Sequence, residues 1–340
     1  MTITTMIPRG RTFVRSVMLR AQADSHDGDT LHEIAVARWG ASQADTIVRA
    51  AISAVDAQDV GANSTVREFL GLVRENTVYG RLSGLRKVAF GVPMPRISSG
   101  VTANWVGQAK PKPLSKPAVL GSTLDASKVV SLIATTAESL RMGGPQVESA
   151  LQAELIRAVS GAWDEAFLDP ANAGVAGERP PSITYGATAI PATADPAEDI
   201  AALVAAFQGD FSAAYWVMHP KTAARLALRR TGEAFQFPEI GPRGGTLIGI
   251  PVLTSRHAAE DVIALVDPTG IAAADDGMEV KRAEHASLMM ADDFEGAQPE
   301  MVSLWQTNSV ALMAEVFASW EVQRAGSVAI VTGADYAGEG

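Results

Sequence analysis

The chain has 340 residues, 47% hydrophobic and 19% charged, with a formal net charge of -10 and a sequence pI near 5.1. That length supports a sizeable core, usually split into two domains, and the acidic sum argues against a general nucleic-acid binder. The absence of cysteine excludes disulfides, thiolate metal sites and cysteine nucleophiles, and no apolar run reaches the length of a membrane span.

Taken in chain order, Arg9, Arg11, Arg15 and Arg20 come first. Neither an apolar core nor a small-residue cleavage site follows them, which disfavours a secretory signal. The segment reads as a basic arm, with an inner-surface or DNA-facing role open. Residues 30–57 read as two helical pieces broken at Gly40, with Leu31, Ile34, Ala35 and Trp39 on one face and Ile47, Ala51, Ile52 and Val55 on the next. Asn63, Ser64 and Thr65 offer N-caps to a short helix through Phe69, Leu72 and Val73. Between Asn76 and Leu124 there is no Asp or Glu, yet Arg81, Arg86, Lys87, Arg96, Lys110, Lys112 and Lys116 all lie there. Its centre, Trp105 to Pro113, holds Lys-Pro pairs, which push the backbone out of the helical region. A long cationic extended segment on an acidic protein suits a negative partner: nucleic acid, membrane or another copy. Residues 1–120 hold 15 Lys/Arg against 9 Asp/Glu, a net of +6, while residues 121–340 hold 13 against 29, a net of -16. Such opposed fields suit head-to-tail contact between copies, an internal pairing, or two solvated faces.

Thr123 to Thr136 reads as a strand. Gly143-Gly144-Pro145 then opens the strongest helix, with Val147, Leu151, Leu155, Ala158, Ala162 and Ala166 at helical spacing and Asp169-Pro170 as its stop. Within it, Gly161 costs about 1 kcal/mol relative to Ala and allows a close neighbour. Residues 171–197 read as a loop containing one short strand, Ser182 to Thr184. Asp195-Pro196 caps a helix through Ile200, Leu203, Val204 and Phe207. Tyr215 to Met218 is a buried strand, Lys221 to Arg230 a helix, and residues 232–246 a loop. Thr246 to Thr254 and Val262 to Val266 are strands. Strand pattern returns from Val280, with Val302 to Trp305 and Val310 to Trp320 prominent. Helices and strands in mixed order, without regular alternation or internal repeat, give an α+β class.

No constellation makes a convincing active site. The histidines His26, His32, His219, His257 and His285 show no metal-ligand spacing, and His219 before Pro220 reads as structural. Gly241 to Gly245 lacks the Lys and the following helix of a phosphate loop. Asp275-Asp276 and Asp292-Asp293 read as solvated turn carboxylates rather than a cation site. Arg229-Arg230 either clamps an acidic neighbour or complements a helix end. Trp163, Phe167, Trp216, Phe317 and Trp320 are core by pattern. Trp105, in a Gly/Lys/Pro-rich stretch with little local core, reads as an anchor buried by a partner chain. No cofactor or metal is implied.

The order of several short motifs resembles the major capsid proteins of tailed bacteriophages, the Hong Kong ninety-seven type fold. They are Asn76 to Leu82, Trp105-Val106-Gly107 with Pro111-Lys112-Pro113, Phe167-Leu168-Asp169-Pro170, Pro181 to Thr184, Trp216 to Pro220, and Gly249-Ile250-Pro251-Val252. The resemblance covers roughly residues 12–330 and implies four parts. These are an N-terminal arm with helices (1–75), an extended loop region (76–128), a peripheral domain (129–189 and 279–340, with a spine helix at 145–169), and an axial domain (190–278). It implies a non-enzymatic shell subunit forming pentamers and hexamers around double-stranded DNA, without sequence specificity and without a membrane. Portal and scaffolding or decoration proteins are the implied partners, the bacterial host cytoplasm the place of assembly and the virion the destination. Arg96, Trp105, Lys110, Lys112, Lys116, Arg229 and Arg230 are the expected intersubunit contacts. Some members join the loop to a neighbour through a Lys–Asn isopeptide bond; Lys110, Lys112 or Lys116 with Asn308 is the corresponding set, and the family's catalytic Glu has no matched position. About 75 residues precede the family-like region, so maturation without proteolysis is expected. A nanocompartment shell enclosing cargo proteins is the nearest alternative, and a soluble Ser/Lys enzyme the alternative of another class.

Overall fold

A computed structural model describes residues 8–22, 28–53, 60–97, 119–136, 138, 145–231, 234–283, 287–290 and 300–336. Contacts divide the chain into two units. The first comprises Met1–Asn76, Val129–Ser160 and Gly277–Phe317; the second comprises Thr77–Lys128, Gly161–Asp276 and Ala318–Gly340.

In the first unit, four helices follow one another: α1 (Arg11–Gln22), α2 (Gly28–Trp39), α3 (Ala41–Ser53) and α4 (Val60–Asn76). Gly40, at φ 86, makes the break between α2 and α3 that the sequence places there. Leu19, Leu31, Ala35, Ala44, Ile47, Val48 and Ala51 bury together, and Phe13 stacks on Phe69 with ring centroids 4.3 Å apart. Helix α4 begins at Val60, ahead of the expected caps Asn63 to Thr65, which lie inside it. The burial of Phe69, Leu70 and Val73 outweighs the weak helix preference of that polar trio.

Helix α5 (Val78–Arg81) opens the second unit, followed by β1 (Arg86–Lys87), β2 (Met94–Ile97) and β3 (Val119–Ser122), while β4 (Ser127–Thr136) falls mostly in the first. β2 and β3 pair antiparallel, Met94 opposite Ser122 and Ile97 opposite Val119. The long helix α6 (Pro145–Leu168) has 24 residues, about 36 Å at 1.5 Å per residue. Its C-terminal carbonyls explain a misread segment. Ser182 to Thr184 is not a strand, because its polar groups cap the helix. Phe167 O accepts from Ile183 N (3.0 Å), Leu168 O from Thr184 Oγ1 (2.8 Å) and Asp169 O from Ser182 Oγ (2.6 Å), while Ala166 O accepts from Asn172 Nδ2 (2.8 Å). These are the groups a helix end leaves without partners.

The remaining elements are β5 (Thr188–Pro191), α7 (Pro196–Ala206), β6 (Tyr215–Met218), α8 (Pro220–Leu228), β7 (Arg230–Thr231), β8 (Ala234–Phe235), β9 (Ile240–Gly241), β10 (Gly244–Leu247), β11 (Ile250–Thr254), β12 (Val262–Val266), β13 (Ile271–Ala283), β14 (Ser287–Met290), β15 (Glu300–Ser303), β16 (Ser309–Val322) and β17 (Val328–Thr332). Seven strands form one sheet in the order β5-β17-β12-β6-β11-β10-β9. Every residue of β12 is buried, as its unbroken Val-Ile-Ala-Leu-Val run requires. Trp216, Met218, Leu265, Ile263, Val331 and Leu203 fill its core. Asp195 caps α7 by accepting from Ala197 N at 2.9 Å, as read from Asp-Pro. Residues 232–246 are less loop-like than expected, since β8, β9 and β10 lie partly or wholly among them. Thr246 to Thr254 is a hairpin rather than one strand, turning at Ile248 and Gly249, both at positive φ. Arg230 lies on β7, not on the preceding helix, which ends at Leu228. β1, β13, β16 and β4 form a second sheet in that order.

Candidate assembly surface

Two buried polar joints organise the described residues, one in each unit. In the first unit Glu148 accepts from Arg15 Nε at 3.0 Å and from Trp39 Nε1 at 2.6 Å, with side chains of Arg15 and Glu148 only 11% and 3% exposed. Gln43 bonds the same guanidinium, and Arg15 and Arg38 lie 5.8 and 5.2 Å from the Trp39 ring centroid. Arg11 donates to Ser149 Oγ (2.8 Å) and Arg9 pairs with Glu75 (3.1 Å). Three of the four arginines of the expected basic arm therefore hold α1 onto α4 and the start of α6. Removing one partner of the buried Arg15–Glu148 pair costs about 3–5 kcal/mol, so these two groups act as fold before anything else.

In the second unit Asp164, on α6 and 1% exposed, accepts from Val78 N and from Ser255 Oγ, each at 2.7 Å. Arg81 lies nearby and donates to Thr254 O at 2.6 Å. Burial pushes the Asp164 carboxyl up to about 6, outweighing the Ser255 and backbone hydrogen bonds and the Arg81 charge that pull it down. Around it Tyr79, Trp163, Phe167 and Trp320 form an aromatic cluster with neighbouring centroids 4.9 to 6.2 Å apart. Three of the tryptophans read as core, Trp163, Trp216 and Trp320, are at most 3% exposed, and Phe167 is fully buried; Phe317 is half-buried.

Chemistry-bearing residues sit in structural posts. His219 caps α8, its Nδ1 accepting from Lys221 N at 3.0 Å. His32 meets Asp45 at 3.0 Å. His257 packs against Gly161, where an added Cβ would stand 2.7 Å from its Cε1. His26 and His285 lie outside the described residues. Among the described residues no three His, Cys, Asp or Glu gather as a metal site. No helix of these residues is long and apolar enough to cross a membrane. Asp275 departs from expectation: it lies on β13 with a side chain 6% exposed and faces Lys87 Nζ at 3.1 Å, rather than standing in a solvated turn. Asp292-Asp293 lies outside the described residues.

Of the expected contact residues, Arg96 stands on β2 opposite Leu120. Trp105, Lys110, Lys112 and Lys116 lie outside the described residues. Arg229 ends α8 and donates to Ala194 O at 2.9 Å. The Arg230 guanidinium lies 4.5 Å from the centroid of the half-exposed Phe235 ring. Asn308, at φ 48, closes the turn between β15 and β16, and Trp305 in that turn is 72% exposed. Sequence reasoning missed both joints. The one available signal for the second is Asp164, a carboxylate directly after Trp163 on the same helix as Phe167.

The phage capsid family matches residues 35–333. The capsid polyprotein of Pseudomonas phage PAJU2 is 34% identical over 320 residues, 85% of this chain and 48% of that protein, so the chain spans about half the length of this curated relative. Solved structures share the fold at low identity. A chain from Microbacterium phage Oxtober96 superposes with a TM-score of 0.54 at 17% identity, covering 76% of this chain and 91% of that one. One from Mycobacterium phage Ogopogo gives 0.53 at 18%, covering 76% and 92%. The capsid of a native GTA particle, computed with C5 symmetry, gives 0.53 at 15%, covering 74% and 88%. This chain belongs to the phage capsid family and has the Hong Kong ninety-seven type fold.

Proposed function

We propose that the chain is a major capsid protein, a structural, non-enzymatic subunit that assembles with copies of itself into an icosahedral shell around double-stranded DNA. The observation that carries this reading is the family match over residues 35–333, nearly the whole chain. It favours a DNA-filled phage shell over a nanocompartment enclosing cargo proteins. The virion is the destination, the host cytoplasm the place of assembly, and portal and scaffolding or decoration proteins are the further partners. The seven-stranded sheet, within 190–278 plus the adjoining β5 and β17, serves as the axial domain, and α6 as the spine of the peripheral domain. The hairpin based on β2 and β3 carries the extended loop, with Arg96, Trp105, Lys110, Lys112 and Lys116 meeting a neighbouring subunit, and Arg229 and Arg230 meeting another. Such a shell is cooperative, because each subunit is held by several neighbours.

The test is negative-stain electron microscopy of the purified protein, alone and co-expressed with its neighbouring genes. Uniform hollow polyhedra are expected, in lower yield for Trp105→Ala. Discrete small oligomers under both conditions would overturn the reading.

A further inference from the structure

The hairpin of β10 and β11 turns through two residues, Ile248 and Gly249. Ile248 stands at φ 55 and is 67% exposed. Two unfavourable features meet in this residue. A β-branched side chain in the left-handed region is a steric outlier, and two-residue hairpin turns take Asn, Asp or Gly there. An apolar side chain in water also forgoes the gain of burial.

The hairpin itself does not require isoleucine. Leu247 pairs with Ile250 to close the ladder, and Leu247 is 3% exposed. The Leu247 carbonyl accepts from Trp216 Nε1 at 3.1 Å, and Ile250 packs against the core of the sheet. These contacts fix the turn, so whatever residue occupies position 248 is left-handed and outward. Asn would serve the isolated subunit better. Strain that persists against an available remedy points to a second role at the same residue.

The chemistry of the tip narrows the partner. Residues 244–255 hold no Asp, Glu, Lys, Arg or His. A phosphate backbone or a charged membrane surface would be met by cations, which are absent from this stretch. A single apolar prong on a rigid turn suits a preformed apolar socket on a protein. In a shell of identical subunits, that protein is another copy of the same chain. We propose that Ile248 is an intersubunit contact, seated in an apolar socket of a second copy, and that assembly offsets the strain of its turn. This rests on the shell reading above.

The experiment compares wild type, Ile248→Asn and Ile248→Met on the full chain, by thermal melting of unassembled subunits and by light scattering during assembly. Ile248→Asn is expected to melt about 2–4 °C higher. It is also expected to need about ten times more protein for half-maximal assembly. Ile248→Met, unbranched but still apolar, is expected to assemble as wild type does. If wild type assembles and Ile248→Asn matches its concentration dependence, the inference falls and the shell reading stands. A lower melting point for Ile248→Asn would remove the strain argument and overturn the inference likewise. If wild type forms no shell with or without its neighbouring gene products, the shell reading fails and takes the inference with it.

Discussion

Asp164 shows how much one buried carboxylate decides. Its folded-state pKa is raised from the ordinary 3.8 to about 6. Between those values the native state binds a proton that the unfolded chain has released. Stability from this residue therefore rises as pH falls from about 7 to 4, by on the order of 2–3 kcal/mol. His219 and His257 run the other way, since burial lowers both; their contribution is present above about 6.5 and is lost as pH falls. The comparison of wild type with Asp164→Asn isolates the carboxylate from the histidines. The variant is expected to lose the acid-side gain, read as the change in urea midpoint between about pH 8 and pH 5. An unchanged pH difference would show that Asp164 is not the titrating group. Its partners Val78 and Ser255 lie 86 and 91 positions away, which is why no reading of the chain brings the three together.

At the scale of the element, α6 was the most legible part of the sequence. Proline at its start, an apolar repeat through Ala166 and Asp-Pro at its stop are all local signals. Its capping segment was not legible, because Ile183 and Thr184 have strand-forming character while the polar groups of Ser182, Ile183 and Thr184 serve carbonyls 13 to 16 residues earlier. The turn at Ile248 was missed for a related reason: isoleucine carries no turn signal, so two strands read as one. Gly161 allows the close approach that a glycine within a helix predicts, and His257 is the neighbour. Substituting Gly161→Ala gains helix propensity of about 1 kcal/mol but forces the imidazole to move. A net loss of about 1–2 kcal/mol is expected, from overpacking. In a His257→Ala background the same change is expected to stabilise. Destabilisation of equal size in both backgrounds would show that the ring is not the obstacle.

Across the whole molecule, the charge division is the feature the proposed assembly would draw on. Residues 1–120 carry a net +6 and residues 121–340 a net -16, and most of the described arginines near the N-terminus are already paired within the chain. Lys110, Lys112 and Lys116 of the acid-free stretch are the proposed reserve for contacts between copies. Assembly is then expected to weaken between about 50 mM and 500 mM salt, as screening shortens. A triple Lys110→Gln, Lys112→Gln, Lys116→Gln variant is expected to flatten that dependence, followed by light scattering. A variant as salt-sensitive as wild type would place the pairing elsewhere. The fold class and family were readable because short motifs keep their order along the chain. The contact residues stay proposals, because the surfaces they would meet belong to other copies and leave no mark in one sequence.

The docking of the first helix also sets a timetable for synthesis. Arg15 and its counter-charge Glu148 are 133 residues apart. At about 5–20 residues per second, the ribosome delivers Glu148 roughly 7–27 s after Arg15. The first unit closes later still, since it draws on Gly277–Phe317. A nascent chain thus carries its first helices, unfinished, until that segment is made. A stalled or prematurely ended chain lacks the pieces that complete them.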